Sequence, residues 1–384
     1  MVATLENRSR LLISSRFSRE SAPDLSRLRP SQFPYISEVK SRLENGRYRF
    51  ENSPCPCGAT EGPIVSEVDR YGLPLQFVVC ASCGTIRINP YLDEPSLSDF
   101  YTHFFQEMYG RVPDVENYFL NQAKYGKRLL ALVRGWLEPG SCVYEVGCGA
   151  GGALDVFRRS GYLVAGCEYS AELITAGTNR GVKNLYHGSI RDIPAQLHRA
   201  KADIIYLNHV FEHMNDPLGF LQDCKSQLAP RGRIIIVVPD VSRIDSFPCP
   251  AGDLLQFLHI AHKYNFSFEG LRRLSAQAGY QVRRLTPDQK IQTAHSIMPE
   301  LWIELMIGTE TNSSPKTFAK SETSNPGKKM LQYLNRTEKM YVRGLCRAQL
   351  AQKITSGKRS FGNNLTRLRR ATPAKVLRKI KGIN

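Results

Sequence analysis

The chain has 384 residues, of which 42% are hydrophobic and 23% are charged, and its formal net charge is +17. No apolar run approaches the roughly 20 residues that a membrane-spanning helix needs, so the sequence predicts no such helix. The N-terminus lacks the long apolar core of a secretory signal, and we therefore expect a cytoplasmic protein.

The positive charge is concentrated at the C-terminal end. Residues 315–384 hold 18 Lys and Arg against only Glu322 and Glu338, which leaves about +1 for the rest of the chain. This asymmetry argues against nucleic-acid binding by the whole protein, and the tail has few aromatic residues for base stacking. We expect residues 310–384, a linker followed by basic helical segments that include Leu365–Lys381, to attract an anionic membrane surface or an acidic partner.

Residues 1–50 are polar and rich in Ser and Arg, which predicts a flexible leader with at most a short amphipathic helix at Ile36–Leu43.

Residues 51–92 contain two cysteine pairs that are separated by 22 residues and that each end in Cys-Gly. This arrangement resembles a zinc ribbon, with a closed structural zinc site and a first knuckle that is shortened to Cys-x-Cys. Free thiols or a disulfide are the alternatives for these four cysteines, which are Cys55, Cys57, Cys80 and Cys83.

Residues 93–137 predict a helical connector. Its aromatic stretch, Phe100–Tyr118, either lines the substrate side of a pocket or packs between two domains. A longer helix is expected at Tyr118–Leu137.

A strand, a glycine turn, a helix and a second strand follow one another within Ser141–Ser170. The turn contains Gly147, Gly149 and Gly151, and the second strand ends at Glu168. Glycines let the backbone approach a ligand, and an acid at a strand end can accept hydrogen bonds from two ribose hydroxyls. The stretch therefore predicts the first half of a nucleotide-binding α/β unit.

Later apolar runs complete a sheet. Buried parallel strands are expected at Asp203–Leu207 and Gly232–Val238, a sixth strand at Gln281–Leu285, and an antiparallel seventh at Glu300–Ile307. The sequence thus predicts an α/β fold with a doubly wound, seven-stranded, mostly parallel sheet over residues 138–309.

In order and spacing, residues 122–308 resemble the class I S-adenosylmethionine-dependent methyltransferases, and the cysteine pairs resemble a subgroup that carries an N-terminal zinc ribbon. The glycines alone also fit dinucleotide binding, but Glu145, two residues before Gly147, would face a cationic ligand and repel a pyrophosphate. The resemblance implies that the glycine turn supports the methionine and ribose portions of the cofactor. The resemblance further implies that Glu145 faces the amino end of the cofactor, Glu168 binds the ribose and Asp192 binds the adenine. Asn208 and His209 would lie below the methionine portion.

Five polar residues are candidates for the acceptor side: His209, Glu212, His213, His259 and His262. A neutral imidazole of His209, His213 or His262 could take a proton from the acceptor as the methyl group transfers. Alternatively, Glu212 and His213 brace the loop after the fourth strand, and His262 lies at an exposed helix start. A metal role also stays open, because some related enzymes bind a divalent metal through a Glu-x-x-Glu-His motif at this place. In this chain His209 occupies the position of the first Glu.

These observations predict an S-adenosylmethionine-dependent methyltransferase with a structural zinc ion, acting on a saccharide or small metabolite. Two alternatives remain: an NAD-dependent oxidoreductase of Rossmann type, and a non-catalytic RNA-binding or membrane-binding protein on a degenerate methyltransferase scaffold.

Overall fold

A computed structural model describes residues 9–21, 28–109, 114–193, 201–246, 252–285, 298–308 and 325–345. Most of the predicted linker after residue 310 and the basic stretch Leu365–Lys381 lie outside these ranges. Among the helices that are described, none is both long and apolar enough to cross a membrane.

The chain first builds a small N-terminal module. Its helices are α1 (Phe33–Glu44), α2 (Glu94–His103) and α3 (Phe105–Tyr109). Its strands are β1 (Phe50–Glu51), β2 (Ile64–Ser66), β3 (Phe77–Val79), β4 (Ile86–Ile88) and β5 (Tyr91–Leu92). Strands β2, β3 and β4 form an antiparallel meander, and β1 pairs with β5.

The larger α/β domain follows, and its helices alternate with its strands. The helices are α4 (Val115–Val133), α5 (Gly152–Arg159), α6 (Ala171–Asn179), α7 (Pro217–Gln227) and α8 (Phe268–Gln277). The strands are β6 (Cys142–Val146), β7 (Leu163–Glu168), β8 (Leu185–His187), β9 (Ala202–Asn208), β10 (Leu228–Pro239), β11 (Tyr264–Asn265), β12 (Tyr280–Leu285) and β13 (Glu300–Ile307). A last helix, α9, covers residues 326–345.

Seven of these strands form one sheet in the order β12-β13-β10-β9-β6-β7-β8. All neighbours are parallel except β13, which runs antiparallel to β10 and to β12. The predicted seven-stranded, mostly parallel sheet is therefore confirmed. The strand order reverses between β6 and β9, and ligands of such sheets bind at the carboxyl ends of the strands beside this switch point.

The N-terminal module differs from the prediction. The leader was expected to be flexible, yet Ile13 and Phe17 are buried in the same apolar core as α1 and the β2–β4 meander. Residues 241–244 and 254–261 contribute to this core as well, and so does α9 through Met330 and Leu334. Segments that the sequence treats as separate units thus share one hydrophobic core.

Polar contacts reinforce this assembly. Arg16 pairs with Asp253 at 2.7 Å and with Glu338 at 3.3 Å, so one guanidinium joins the N-terminal segment, the α/β domain and α9. Both carboxylates are almost fully buried. The described part of the tail, residues 325–345, is consequently packed onto this core.

The packing of α9 predicts a measurable loss of stability when its inner face is truncated. Leu334 is 1% exposed, so Leu334→Ala should lower the free energy of unfolding by about 2–5 kcal/mol. The matched control is Met340→Ala on the same helix, where the side chain is 54% exposed and the change should stay within about 0.5 kcal/mol. Urea unfolding of both variants measures the difference, and equal effects would mean that α9 does not pack on this core.

Candidate active site

The glycine turn between β6 and α5 forms a cradle at the carboxyl end of the central strand. Gly147, Gly149 and Gly151 all have positive φ, at 66°, 53° and 75°. A Cβ on Gly149 would come within 2.5 Å of the Gln122 Nε2 atom and 2.6 Å of the Tyr118 hydroxyl. The turn therefore requires glycine both for its backbone conformation and for the close approach of α4.

Gln122 braces the turn from α4, a role that the sequence did not reveal. Its Nε2 donates to the Cys148 carbonyl at 2.8 Å, and its Oε1 accepts from the Ala150 N–H at 3.1 Å. Tyr118 lies one helical turn earlier on the same face. The four-residue spacing of Tyr118 and Gln122 places both side chains on one face of a helix. The neighbouring sequence does not show what that face contacts.

Glu168 lies at the end of β7, as predicted, and is anchored to the turn. Its Oε2 accepts from the Gly149 N–H at 3.0 Å. Its Oε1 accepts from the N–H groups of Tyr169 at 2.7 Å and Ser170 at 3.0 Å. Among the described residues, Oε2 accepts only the hydrogen bond from Gly149, and it retains capacity for a further donor such as a ribose hydroxyl.

Two buried polar atoms point to a missing partner beside this turn. Glu145 is 4% exposed and its Oε2 has no hydrogen-bond partner among the described residues; the same holds for Oδ1 of Asn208 at the end of β9. Burial raises the pKa of Glu145 well above its ordinary value, and the neighbouring Glu168 raises it further. Acceptors that are buried without donors fit the ammonium end of S-adenosylmethionine, because a buried acceptor without a partner is costly.

Asp192 lies further out, after β8. Its Oδ2 accepts from the Ser189 N–H at 2.7 Å and from the Ser189 hydroxyl at 2.9 Å. These hydrogen bonds lower the pKa of Asp192, and its side chain remains exposed. Tyr169, which follows Glu168 and is 73% exposed, lies at the same edge and was not anticipated.

The predicted acceptor residues come together on the other side of the switch point. His209, Glu212 and His213 follow β9, and His259 and His262 approach them from the loop before β11. The His213 and His262 rings are 4.8 Å apart, and those of His259 and His262 are 3.5 Å apart. His262 is only 9% exposed, so the alternative of an exposed helix start is wrong.

His209 bridges two carboxylates and has a strained backbone, with φ at 55°. Its Nε2 lies 3.4 Å from Glu300 Oε1 and its Nδ1 lies 3.5 Å from Glu212 Oε1. Burial lowers the pKa of His209, but Glu212 and Glu300 outweigh this and the resulting pKa is about 10. His209 is consequently a cation at neutral pH and a poor general base.

The other histidines of this group are neutral. Burial lowers the pKa of His213, and it lowers those of His259 and His262 well below their ordinary values. Of the three predicted bases, His213 and His262 thus have the protonation state that proton abstraction requires.

Aromatic side chains from α2 and α3 cover these histidines. The Tyr101 hydroxyl lies 3.3 Å from Nδ1 of His213, and the Tyr109 hydroxyl lies 2.6 Å from Nδ1 of His259. The Phe105 ring packs edge-on against His213, with centroids 6.3 Å apart. Tyr101, Phe105 and Tyr109 of the aromatic stretch thus contact the histidines, whereas Phe100 and Phe104 are buried in the core of the N-terminal module.

The N-terminal module holds the histidine loop through its backbone. Tyr264 and Asn265 form β11, which pairs antiparallel with β4. The Arg70 N–H donates to the Leu258 carbonyl at 2.8 Å. The Ile260 N–H donates to the Asp69 carboxylate, and the Ile260 carbonyl accepts from the Tyr91 hydroxyl. The Ile88 N–H donates to the Lys263 carbonyl. The Ser267 N–H donates to the Thr85 hydroxyl, and the Ser267 hydroxyl donates to the Cys83 carbonyl.

The four predicted zinc ligands meet beside this attachment. Their sulfur atoms lie within 4.8 Å of one another, with Cys55 3.6 Å from Cys83 and Cys57 3.6 Å from Cys80. Sγ–Sγ separations of this size exclude disulfides, whose sulfur atoms are about 2.05 Å apart. Four converging thiols match the donor set of a structural zinc site, and Cys83 also accepts a hydrogen bond from Ser267 through its carbonyl.

Comparison with known proteins agrees with this geometry. Residues 117–285 match a family model described as a methyltransferase domain. The chain is 29% identical over 101 residues to a ubiquinone biosynthesis O-methyltransferase of Actinobacillus pleuropneumoniae, covering 24% of this chain and 43% of that protein. The protein of the same name from Rhodopseudomonas palustris is 31% identical over 94 residues, covering 24% and 37%. The chain thus spans less than half the length of these relatives.

Solved structures of methyltransferases are similar to this chain at a lower sequence identity. The magnesium protoporphyrin IX methyltransferase of Synechocystis PCC 6803 has a TM-score of 0.40 and 13% identity, covering 56% of this chain and all of that one. The plantazolicin methyltransferase BpumL has a TM-score of 0.42 and 13% identity, covering 56% of this chain and 95% of that one.

The cysteine cluster generates a prediction about metal content. Cys80 is fully buried, and Cys80→Ser should remove about one zinc equivalent per chain and lower the melting temperature, because three thiolates no longer close a tetrahedral site. The control is Cys224→Ser, a buried cysteine under the α/β sheet that should leave the zinc content unchanged. Elemental analysis of the purified proteins measures both, and a wild-type protein without zinc would contradict the prediction.

Proposed function

We propose that this protein is an S-adenosylmethionine-dependent methyltransferase that acts on a hydroxyl group of a small metabolite or saccharide. One observation carries the proposal. The cradle of Gly147–Gly151 lies between Glu168, which suits a ribose, and the buried acceptor of Glu145, which suits an ammonium group. The match of residues 117–285 to a methyltransferase domain supports the same conclusion.

The carboxylate of Glu145 decides between this cofactor and NAD. It is 4% exposed, and its Oε2 has no hydrogen-bond partner within the described part of the chain, next to the turn where a dinucleotide would place its pyrophosphate. A methionine ammonium group bound there would donate to this oxygen and stabilise the ionised carboxylate, whereas a pyrophosphate offers neither a donor nor a compensating cation. The lack of a donor for Glu145 therefore disfavours the oxidoreductase alternative.

S-adenosylmethionine supplies a methyl group that is already activated by its sulfonium charge. The chain then has to place the acceptor oxygen in line with the breaking S–CH3 bond and to exclude water. We assign the cofactor side to Glu145, Glu168, Asn208 and the glycine turn. The acceptor side is assigned to His213 and His262, beneath the aromatic cover of Tyr101 and Phe105.

The side chains around the histidines and the names of the relatives support the proposed acceptor class. The face of α2 and α3 that packs against the histidines is aromatic with imidazole and hydroxyl groups, which suits a ring with hydroxyl substituents, such as a sugar or an aromatic metabolite. The curated relatives carry the name O-methyltransferase, which favours an oxygen acceptor here.

Cofactor binding tests the proposal directly. Isothermal titration should show saturable binding of S-adenosylhomocysteine and no binding of NAD. Glu168→Ala should weaken the binding of S-adenosylhomocysteine by about 10- to 100-fold, because it removes charge-assisted hydrogen bonds to the ribose. The matched control is Glu172→Ala, an exposed acid in the first turn of α6. Binding of NAD alone, or equal affinity for all three proteins, would refute the assignment.

A further inference from the structure

The outer face of α9 is rich in cations that acids do not neutralise. Its exposed cations share one face of the helix and are Lys328, Arg336, Lys339 and Arg343. Among the described residues, Arg336 approaches Asp245 at 3.9 Å, and the other three form no ion pair. The acid of this helix, Glu338, is buried on the inner face beside Arg16. The outer face therefore carries a local excess of positive charge.

A groove lies between this face and the N-terminal segment. It has a volume of about 550 Å³ and is lined by the four cations, two amide side chains and three apolar ones, which are Leu11, Leu331 and Met340. Leu11 is 50% exposed and Met340 is 54% exposed, although both side chains are large and apolar. Exposed apolar groups beside cations without counter-ions are typical of an interaction surface.

The core of the N-terminal module holds both sides of the groove. The Leu11 N–H donates to the Ile64 carbonyl at 2.8 Å. On the inner face of α9, Met330 and Leu334 are buried in the core. The cations are thus presented by a packed helix, and little backbone ordering opposes binding.

The positive charge continues in the sequence after α9. Residues 346–384 contain 11 Lys and Arg and no Asp or Glu. Because α9 ends at residue 345, two positions after Arg343, this stretch starts next to the groove. A partner of the groove therefore also meets the charge of the following residues.

An extended anionic surface fits this pattern better than a compact ligand does. Lys328 and Arg343 are 15 residues apart, which is about 22 Å along a helix. Among the described residues that line the groove, none is aromatic, and binding of single-stranded nucleic acid depends on base stacking against aromatic side chains. Lipid headgroups supply phosphates over any length, and the acyl boundary below them accepts leucine and methionine.

We propose that the outer face of α9, together with Leu11, binds the surface of a bilayer that contains anionic phospholipids. The four cations contact lipid phosphates, and Leu11 and Met340 enter the acyl boundary. The inner face of α9 stays in the core, so the fold is kept on binding. Electrostatic attraction contributes most of the affinity, which should fall as the ionic strength rises. This contact is independent of the proposed function.

Vesicle sedimentation of the full-length protein tests this surface. The wild type should bind vesicles made of equal parts of phosphatidylglycerol and phosphatidylcholine, and it should not bind vesicles of phosphatidylcholine alone. The triple variant Lys328→Gln, Lys339→Gln, Arg343→Gln should bind the mixed vesicles about 100-fold more weakly, because three cations near the bilayer are lost.

The matched control is the triple variant Lys40→Gln, Arg47→Gln, Arg49→Gln, which removes the same charge from exposed positions elsewhere on the N-terminal module. It should bind the mixed vesicles as the wild type does. The double variant Leu11→Ser, Met340→Ser should bind them about 10-fold more weakly, because it loses apolar contact with the acyl boundary.

All three variants should keep the wild-type melting temperature, because the substituted side chains are exposed. No binding by the wild type, unchanged binding by the α9 triple variant, or equal losses in the two triple variants would overturn the proposal. Unchanged binding by the double variant would overturn the entry of apolar side chains into the bilayer. Tighter binding of single-stranded RNA or polyglutamate than of the mixed vesicles would assign this face to a nucleic acid or an acidic protein instead.

Discussion

Backbone pairing between the N-terminal module and residues 258–267 is the constraint on which the acceptor side depends. This segment belongs in sequence to the α/β domain, yet β11 completes the sheet of the module, and the carbonyl of Cys83 receives the Ser267 hydroxyl. Loops at the carboxyl ends of a parallel sheet are usually free to vary. Here the cysteine cluster and its strands hold the loop, so His259 and His262 face the residues after β9.

The cofactor side depends on a different contact. The glycine turn packs against α4, where Gln122 bonds the backbone on both sides of Gly149 and Glu168 bonds its N–H group. The proposed cofactor site is therefore built within residues 117–285, the range that matches a methyltransferase domain. The proposed acceptor site instead needs α2, α3 and the N-terminal module. Cofactor binding and acceptor recognition are consequently separable by substitution.

The buried acids near the proposed site differ in how completely their carboxylate oxygens are hydrogen-bonded. Glu300 is saturated by Arg128, Tyr125 and Trp302, and although burial opposes ionisation, His209 and Arg128 hold its pKa at about 2. Among the described residues, Oε2 of Glu145 and both oxygens of Glu212 have no hydrogen-bond partner, although His209 lies 3.5 Å from Glu212. Buried polar atoms without partners are uncommon in folded proteins, and a bound ligand, ion or water is one way in which they are satisfied. Glu145 adjoins the proposed cofactor side, and Glu212 adjoins the proposed acceptor side.

The sequence by itself determined the seven strands, the glycine turn, Glu168 and the spacing of the cysteines, because these patterns depend on neighbouring residues and on burial on both sheet faces. Tertiary structure alone decided the rest. The burial of Phe17 and Leu334 in one core joins residues more than 300 positions apart, and no local periodicity encodes that pairing. Likewise, Gln122 and the convergence of Glu212 with His262 arise from packing between elements, so their surroundings could not be predicted from the chain.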